Sequence, residues 1–338
     1  MCYLGIQMPS SRIDNISFST FEYQKYDPEH TALYQRTWSQ YIESGQGKAL
    51  TERQIQAYYH QNPHGNALLT IAAHQGSWVG SVAAVPTRCG QSDSEAKLFY
   101  QVADFMVDPS FQGQGVGTRL VAHLTEVLSD RNYLTYTFPN TRSSGVFLKN
   151  GYRIVREIPT RIFLPQIESI IQRSDSNLKE ISLFDAEQAA EELTQANRQH
   201  YSIIKDGAYI KWRYTEIRSM EDYQFYVLHS NNNQLHALIV TTIYRFSGVP
   251  FLIILDLIVR EDSDLSSVFS RNIPGHSPLQ LGFSTIDADY PKARIKAGIR
   301  VPKRFNPRPV ILLSRPNSDP SFDLASSCRF VTADWHGF

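Results

Sequence analysis

A glycine-rich turn is the segment of this chain best suited to chemistry. It reads Gln112-Gly-Gln-Gly115-Val-Gly117-Thr118 and lies between an apolar strand ending at Val107 and an amphipathic helix. Its glycines allow positive φ angles and a close approach of the backbone to a ligand. Backbone N–H groups at a helix N-terminus bind anions, so this glycine turn (residues 112–118) predicts a pyrophosphate site. The spacing fits neither a P-loop nor a Gly-x-Gly-x-x-Gly fingerprint, and a tight turn without a ligand is the alternative.

A second segment follows at residues 138–152 and carries Asn140, Ser143 and, after a short helical pattern, Gly151-Tyr152. With the glycine turn, it resembles the GNAT superfamily of acyl-CoA-dependent N-acyltransferases. The turn is similar to that family's Gln/Arg-x-x-Gly-x-Gly/Ala motif, and the second segment to its Asn-x-x-Ser/Ala…Gly-Phe/Tyr element. The two motifs occur in the expected order, and the resemblance covers roughly residues 15–165.

The resemblance implies a fold and a cofactor. The fold is α/β, with a mixed central sheet whose splayed parallel strands end at Val107 and Phe138, flanked by helices. The cofactor is acetyl-CoA as co-substrate. Its pantetheine arm pairs with the strand before the turn like an added strand, its pyrophosphate binds the turn amides, and Asn140 contacts the pantetheine. The cofactor-binding residues implied are Phe105, Met106, Val107, Gln112, Gly113, Gln114, Gly115, Val116, Gly117, Thr118, Asn140 and Ser143.

Acyl transfer to an amine needs a base, and Asp104 is the candidate catalytic residue. It lies in the strand before the turn, beside Phe105 and Met106, whose apolar side chains favour a raised carboxyl pKa through desolvation. Alternatively, Asp104 bonds a neighbouring strand or faces solvent, and Glu22 or a water chain serves as the base. The backbone N–H of Val107 is the expected oxyanion donor.

The proton donor for the departing thiolate is the weak point of the resemblance. Many family members have a tyrosine seven residues after the asparagine, and this chain has Phe147 there. Phenylalanine cannot donate a proton. Ser143, Ser144, Tyr152 or water replaces it, the thiolate leaves unprotonated, or the site binds without fast turnover.

The elements around these residues alternate between helical and strand periods, which is typical of an α/β sheet. In the first part we expect helices at 28–44, 51–60 and 141–149, and a regular helix from Gly115 whose stripe is Leu120, Val121, Leu124, Val127 and Leu128. The expected strands are at 67–74, 77–87, 98–107 and 133–138, with paired strands at 151–164.

The second part repeats this order more loosely, so a duplicated architecture is expected. Helical patterns at 186–198, 206–213, 263–272 and 289–298 accompany strand patterns at 223–229, 234–244, 251–260, 278–283 and 310–313. A polar linker at 165–178 divides the chain into a GNAT acetyltransferase domain at 1–165 and a degenerate GNAT-like domain at 166–338. The second domain is expected to be degenerate because acidic residues at Glu261-Asp-Ser-Asp stand where a glycine turn would be, and they would repel a pyrophosphate.

Two further segments of the second part bear on partners. Asp206–Tyr214 resembles a pattern in tandem-GNAT proteins linked to polysaccharide or cell-surface biosynthesis. Residues 292–308 hold seven basic side chains and no acid, which indicates either contact with an acidic partner or nucleic acid, or a solvated face. The solvated face is the preferred interpretation.

Composition excludes several classes of protein. The 338 residues include 33 Lys+Arg and 33 Asp+Glu, and this balance argues against steering to nucleic acid. Three separated cysteines exclude a disulfide framework and a CxxC zinc site and favour a cytoplasmic location. The longest apolar run, Phe251–Val259, is far short of the roughly 20 residues that cross a bilayer. His60 and His64 flank Pro63, which breaks the helix that would align them, so no metal is expected.

The expected function is that of a cytoplasmic N-acyltransferase that moves an acetyl group from acetyl-CoA to a primary amine of a small molecule or sugar. Its oligomeric state does not follow from the sequence. One alternative is a non-catalytic acyl-CoA-binding regulatory module, motivated by Phe147. The other is a tandem-GNAT aminoacyl transferase that uses charged tRNA, motivated by chain length and residues 292–308, against which the intact glycine turn argues.

Overall fold

The structure is a computed structural model of the chain. It describes residues 15–43, 51–90, 96–158, 160–163, 177–196, 202–217, 223–230, 232–246, 249–260, 281–285, 299–300 and 310–314. The linker at 165–176, the acidic segment at 261–267, the helical patterns at 263–272 and 289–298, and most of the basic segment at 292–308 lie outside the described residues.

The first part of the chain contains four helices and seven strands among its described residues. The helices are α1 (Pro28–Glu43), α2 (Glu52–Tyr59), α3 (Val116–Asp130) and α4 (Ser144–Lys149), with a 3₁₀ turn at Pro109–Phe111. The strands are β1 (Ile16–Glu22), β2 (Leu68–His74), β3 (Ser77–Gly90), β4 (Lys97–Val107), β5 (Leu134–Thr137), β6 (Arg153–Ile158) and β7 (Thr160–Phe163). The sequence predicted every one of these helices and all strands but β1.

The second part has the same kind of alternation. Its described helices are α5 (Leu183–Ala196) and α6 (Gly207–Lys211), and α6 continues into a π-helical turn at Trp212–Glu216. Its strands are β8 (Asn177–Ile181), β9 (Ser202–Ile203), β10 (Gln224–His229), β11 (Leu235–Phe246), β12 (Val249–Val259), β13 (Leu281–Thr285), β14 (Ile299–Arg300) and β15 (Val310–Ser314).

The strands form two sheets of the same design. The first has the order β1-β2-β3-β4-β5-β15-β6, with β9 beside β3, and the second has the order β8-β10-β11-β12-β13-β7-β14. In each sheet one parallel pair, β4 with β5 or β12 with β13, is followed by two antiparallel neighbours. The repeated order supports the predicted duplication.

The two sheets exchange a strand. β15, from the far end of the chain, lies between β5 and β6 of the first sheet. In return β7, from the first part, lies between β13 and β14 of the second sheet. The expectation that the strands of 151–164 pair with each other is therefore wrong, because β6 and β7 belong to different sheets.

Helix α3 positions the glycine turn against the first sheet. Its buried side chains follow the predicted stripe, and they are Val116, Leu120, Val121, Leu124, Thr125 and Leu128. Val127 lies at the edge of the stripe and stays partly exposed. The stripe packs in one core cluster with Leu313 of β15, so the exchanged strand is part of the support of the turn. Among the described residues, no helix combines the length and the apolar character that a membrane span requires.

Candidate functional site

The parallel strands β4 and β5 part where the glycine turn begins. Their ladder runs from Phe99 opposite Leu134 to Val102 opposite Thr137, and the Thr137 hydroxyl donates to the Val102 carbonyl at 2.7 Å. β5 ends there, while β4 continues for five residues to Val107. The edge of β4 that faces β5 is therefore free of that strand over its last five residues, as the predicted splay requires.

A β-bulge lies within this free length of β4. Ala83 of β3 pairs with Ala103, but Ser81 pairs with Met106, so β4 carries one extra residue. The strained backbone conformation of the bulge falls on Asp104, whose φ angle is +47°. Bulges re-aim side chains and occur next to functional sites, and this one sets the direction of the predicted base.

The Asp104 carboxyl has a single hydrogen-bond donor among the described residues. The hydroxyl of Tyr59, the last residue of α2, donates to its Oδ2 at 2.5 Å, and Tyr59 is fully buried. The surrounding protein desolvates the carboxyl and raises its pKa, although the residue keeps part of its surface exposed. The Tyr59 hydrogen bond and the charge of Arg213 oppose that rise. A raised pKa is what the sequence predicted for this residue.

The backbone of Val107 faces the free edge of β4. The next amide, that of Asp108, donates to Val79 of β3 at 2.9 Å, and successive N–H groups of a strand point to opposite edges. The N–H and C=O of Val107 therefore point away from β3. The side chain of Gln112 donates to this C=O at 2.9 Å and orders the same edge.

The glycine turn has an open backbone. Gly113 has φ at +74° and Gly115 at +83°, and a Cβ added at either would meet no atom within 4 Å. Gly115 is the N-cap of α3, so the N–H groups of the first turn have no acceptor within the helix. Open space beside free N–H groups fits the pyrophosphate of an acyl-CoA. Gln114 serves the turn itself, since its side chain donates to the Ser110 carbonyl at 2.9 Å.

An ion pair holds the start of the turn. Asp108 accepts from the backbone N–H of Ser110 at 3.0 Å and from Arg36 of α1 at 2.9 Å. Arg36 also donates to the Trp78 carbonyl at 2.7 Å. Burial would raise the pKa of the Asp108 carboxyl, but the hydrogen bonds from Ser110 and the charge of Arg36 outweigh it and lower the pKa. The end of β4 is thus tied to α1 and β3.

Asn140 and Ser143 form a turn after β5. The side-chain oxygen of Asn140 accepts from the backbone N–H groups of Arg142 and Ser143, both at 2.9 Å. The Ser143 hydroxyl lies 3.1 Å from the same oxygen. The oxygen of Asn140 therefore shapes the entry to α4, a role that was not evident from the sequence.

Phe147 is part of the core. It is 2% exposed, and its ring makes T-shaped contacts with Phe105 and Tyr152, with ring centroids 5.9 Å and 5.3 Å apart. The contact joins α4 to the bulged part of β4 and explains an apolar residue at this position.

Arg213 is the charged residue acting on Asp104 that sequence reasoning missed. It lies in the π-helical turn of the second part, and its charge acts on both Asp104 and Tyr58. The one signal was the segment at 206–214, whose resemblance to a tandem-GNAT pattern bore on the substrate class and not on the base. A long-range approach between the two parts of the chain leaves no local pattern.

The other base and metal candidates lie apart from this group. Glu22 is exposed at the end of the edge strand β1 and accepts from Asn66 at 2.7 Å. His60 contacts Asn66 at 3.0 Å, and Nδ1 of His64 accepts from the Arg88 amide at 3.2 Å. In the described part of the chain, His, Cys, Asp and Glu form no group of three that could hold a metal ion.

The second sheet has a related but closed arrangement. β12 also carries a bulge, and Asp256 directly follows it. Asp256 is fully buried, with Tyr214 donating at 2.5 Å and Lys205 paired at 2.5 Å. Every residue of β12 from Ile254 to Val259 is buried, whereas the free length of β4 is mostly half-exposed. The Asp256 carboxylate is therefore already neutralised by its ion pair with Lys205.

Comparison with known proteins agrees with this geometry. Residues 30–152 match the acetyltransferase (GNAT) family, and no curated protein sequence matches the chain significantly. The fold is similar to that of a GCN5-related N-acetyltransferase from Anabaena variabilis, with a TM-score of 0.63 and 14% identity over 88% of this chain and 72% of that one. A probable N-acyltransferase from Enterococcus faecalis gives a TM-score of 0.62 and 12% identity over the same shares.

A third similar structure is a tandem GNAT protein from the clavulanic acid biosynthesis pathway, with a TM-score of 0.54 and 10% identity over 90% of this chain and all of that one. At such identities the likeness shows the fold, while the sequence match carries the family. The chain has the GNAT fold, and its residues 30–152 match the acetyltransferase (GNAT) family.

Proposed function

We propose that this acyltransferase moves an acetyl group from acetyl-CoA to a primary amine of a small molecule or sugar. One observation carries the proposal: the free edge of β4 runs from the bulge at Asp104 to the glycine turn. A base, a peptide edge and an anion site therefore lie along one continuous strand and the turn that follows it.

The binding half of the proposal uses backbone groups. The free edge of β4 at Phe105–Val107 takes the pantetheine arm as an added strand, and the N–H groups of residues 113–118 take the pyrophosphate. The side-chain NH₂ group of Asn140 donates to the pantetheine, since the side-chain oxygen already accepts hydrogen bonds within its own turn. The thioester supplies the activated acetyl group.

The chemical half uses Asp104 and Val107. Asp104 accepts a proton from the acceptor amine through Oδ1, because Tyr59 occupies Oδ2. The N–H of Val107 donates to the acyl oxygen as negative charge develops on it. Phe147 can supply no proton to the departing sulfur, so that proton comes from water or from Ser143, Ser144 or Tyr152.

Two measurements test the proposal. Calorimetric titration of coenzyme A into the protein should give saturable binding at one site. A mass-spectrometric screen with acetyl-CoA should then find acetyl transfer to amino sugars, polyamines or peptides, and Asp104→Asn should lower that transfer by about 10²–10⁴-fold while binding of coenzyme A persists. Absence of any heat with coenzyme A would contradict the proposed cofactor.

A non-catalytic acyl-CoA-binding module is the second candidate, favoured by Phe147. Its ring fills a core position where a proton-donating hydroxyl would otherwise serve the thiol. This function predicts coenzyme A binding of full stoichiometry with no transfer to any amine class. Transfer to one amine, lost in Asp104→Asn, would exclude it.

A further inference from the structure

The two parts of the chain meet beside Asp104 through a fixed aromatic contact. The indole N–H of Trp212 donates to the Ala57 carbonyl at 2.7 Å. Its ring stacks on Tyr58, with centroids 6.0 Å apart and planes 7° from parallel. Both aromatic residues are buried. The π-helical turn of the second part is therefore pinned to the last turn of α2, which also carries Tyr59.

This contact brings Arg213, the residue after Trp212, to the end of α2 that carries Tyr59, and the charge of Arg213 acts on Asp104. The pKa of Arg213 is raised from an already high value, and a guanidinium keeps its proton in proteins. Arg213 therefore stays positively charged at any working pH. An opposite charge near a carboxyl favours its ionised form.

The second sheet anchors the π-helical turn that carries Arg213. The hydroxyl of its neighbour Tyr214 donates to Asp256 at 2.5 Å, and Lys205 neutralises that carboxylate. The anchor is fully buried and has no net charge. It fixes the turn without competing for the charge of Arg213.

Asp104 and Asp256 thus form a pair of related sites with different partners. Each lies at a bulge of its sheet and accepts from a buried tyrosine at 2.5 Å. A lysine pairs directly with Asp256, whereas Asp104 has no ion pair among the described residues and is affected only by the charge of Arg213. A directly paired carboxylate cannot act as a base, whereas one held only by Tyr59 and the field of Arg213 can still take a proton.

We propose that Tyr59 and Arg213 are positioning residues for the acyl-transfer reaction, which favour the ionised form of the Asp104 carboxyl and fix its direction, so that the second part of the chain completes the site of the first. This inference rests on the proposed function, in which Asp104 is the base. It gives the second, degenerate unit a direct role in the chemistry.

The test is the pH dependence of kcat/KM. The titratable and charged groups that face Asp104 are Tyr58 and Tyr59 of α2 and Arg213 of the π-helical turn. His30 lies behind Tyr59, with ring centroids 5.1 Å apart, and burial lowers its pKa to about 4, so it stays neutral near pH 7. Tyr59→Phe and Arg213→Gln each remove a group that favours the charged carboxyl. In each variant, the acidic limb of the kcat/KM profile should shift to higher pH by about one unit.

Three controls separate this role from a purely structural one. Arg213→Lys keeps the charge and should return the limb towards its original position, and Tyr58→Phe removes the neighbouring hydroxyl and should leave the limb in place. Coenzyme A affinity should change by less than about twofold throughout, because neither residue lies at the glycine turn. An unmoved limb in both Tyr59→Phe and Arg213→Gln, or an equal shift in Tyr58→Phe, would overturn the inference.

A second readout works without turnover. Carbon-13 NMR of labelled aspartate carboxyls, with Asp104 assigned through Asp104→Asn, follows its ionisation directly and should show the same upward shift in both variants. If Asp104→Asn keeps full transfer activity, the proposed base is wrong whatever the titration shows. If Asp104→Asn abolishes transfer and neither variant moves the titration, the inference fails and the proposed function stands.

Discussion

Phe105 lies directly against Gly117, so that a Cβ on Gly117 would stand 2.6 Å from the tip of the Phe105 ring. Helix α3 approaches the bulged part of β4 this closely because residue 117 has no side chain. We expect Gly117→Ala to destabilise the protein by about 1–3 kcal/mol through overpacking. Urea unfolding followed by fluorescence measures this.

Phe105→Leu should relieve much of that cost in the double variant, because the smaller side chain makes room for the new methyl group. Gly145→Ala is the matched control, since a Cβ there meets nothing within 4 Å. Additive effects of the two substitutions, with no mutual relief, would contradict the packing argument.

Gly115 and Gly76 both have φ at +83°, and a Cβ added at either would meet no atom within 4 Å, but only Gly115 belongs to the glycine turn. Replacing either with alanine should cost about 1–2 kcal/mol of backbone strain. Only Gly115→Ala should weaken coenzyme A binding, by about tenfold or more in calorimetry. Equal affinities in the two variants would contradict the placing of the pyrophosphate at residues 113–118.

Asp108 should make stability depend on pH in the acid range. Its folded-state pKa is lowered, so its contribution is present above the unfolded pKa and is lost as pH falls through the folded value. At about pH 7, Asp108→Asn should cost about 1 kcal/mol, because the amide oxygen can still accept from Ser110 but without the carboxylate's charge. Loss of the Arg36 ion pair adds little, since Arg36 is 42% exposed and solvent weakens the pair.

The difference between the wild-type protein and Asp108→Asn should shrink in acid, once the wild-type carboxyl is itself protonated. Urea midpoints measured from about pH 7 down to about pH 3 follow this. A difference that stays constant over that range would show that the charge of Asp108 has no part in it.

Leu313 of the exchanged strand β15 is fully buried in the core that supports α3. Leu313→Ala should cost about 2–5 kcal/mol, as for other buried leucines. Since each sheet contains a strand of the other part, calorimetric unfolding should remain a single transition in both the wild type and the variant. Two separated transitions would contradict the interdependence of the sheets.

The glycine turn and its helix could be predicted from the sequence because local signals define them. The apolar stripe of α3 and the glycines before it specify a strand, a turn and a helix within some thirty residues. The predicted splay also follows, since β4 and β5 flank that helix directly. The assignment of cofactor contacts to residues 105–107 and 112–118, Asn140 and Ser143 stays a prediction, as does the domain division after residue 165.

The exchange of β7 and β15 and the approach of Arg213 to Asp104 could not be predicted. Strand pairing across more than a hundred residues leaves no local pattern, because an apolar strand such as Val310–Ser314 fits either sheet equally well. The bulge at Asp104 also leaves no signal in the sequence, since its positive φ is imposed by the mismatch with β3 and not by a glycine.

The strand exchange also sets an order of events during synthesis on the ribosome. The edges of β5 and β6 must wait for β15, which is made about 150 residues later. An open edge of this kind pairs readily with other chains. The core that supports the glycine turn is therefore completed only after residue 314 has been translated, and we expect the nascent chain to expose the edges of β5 and β6 until then.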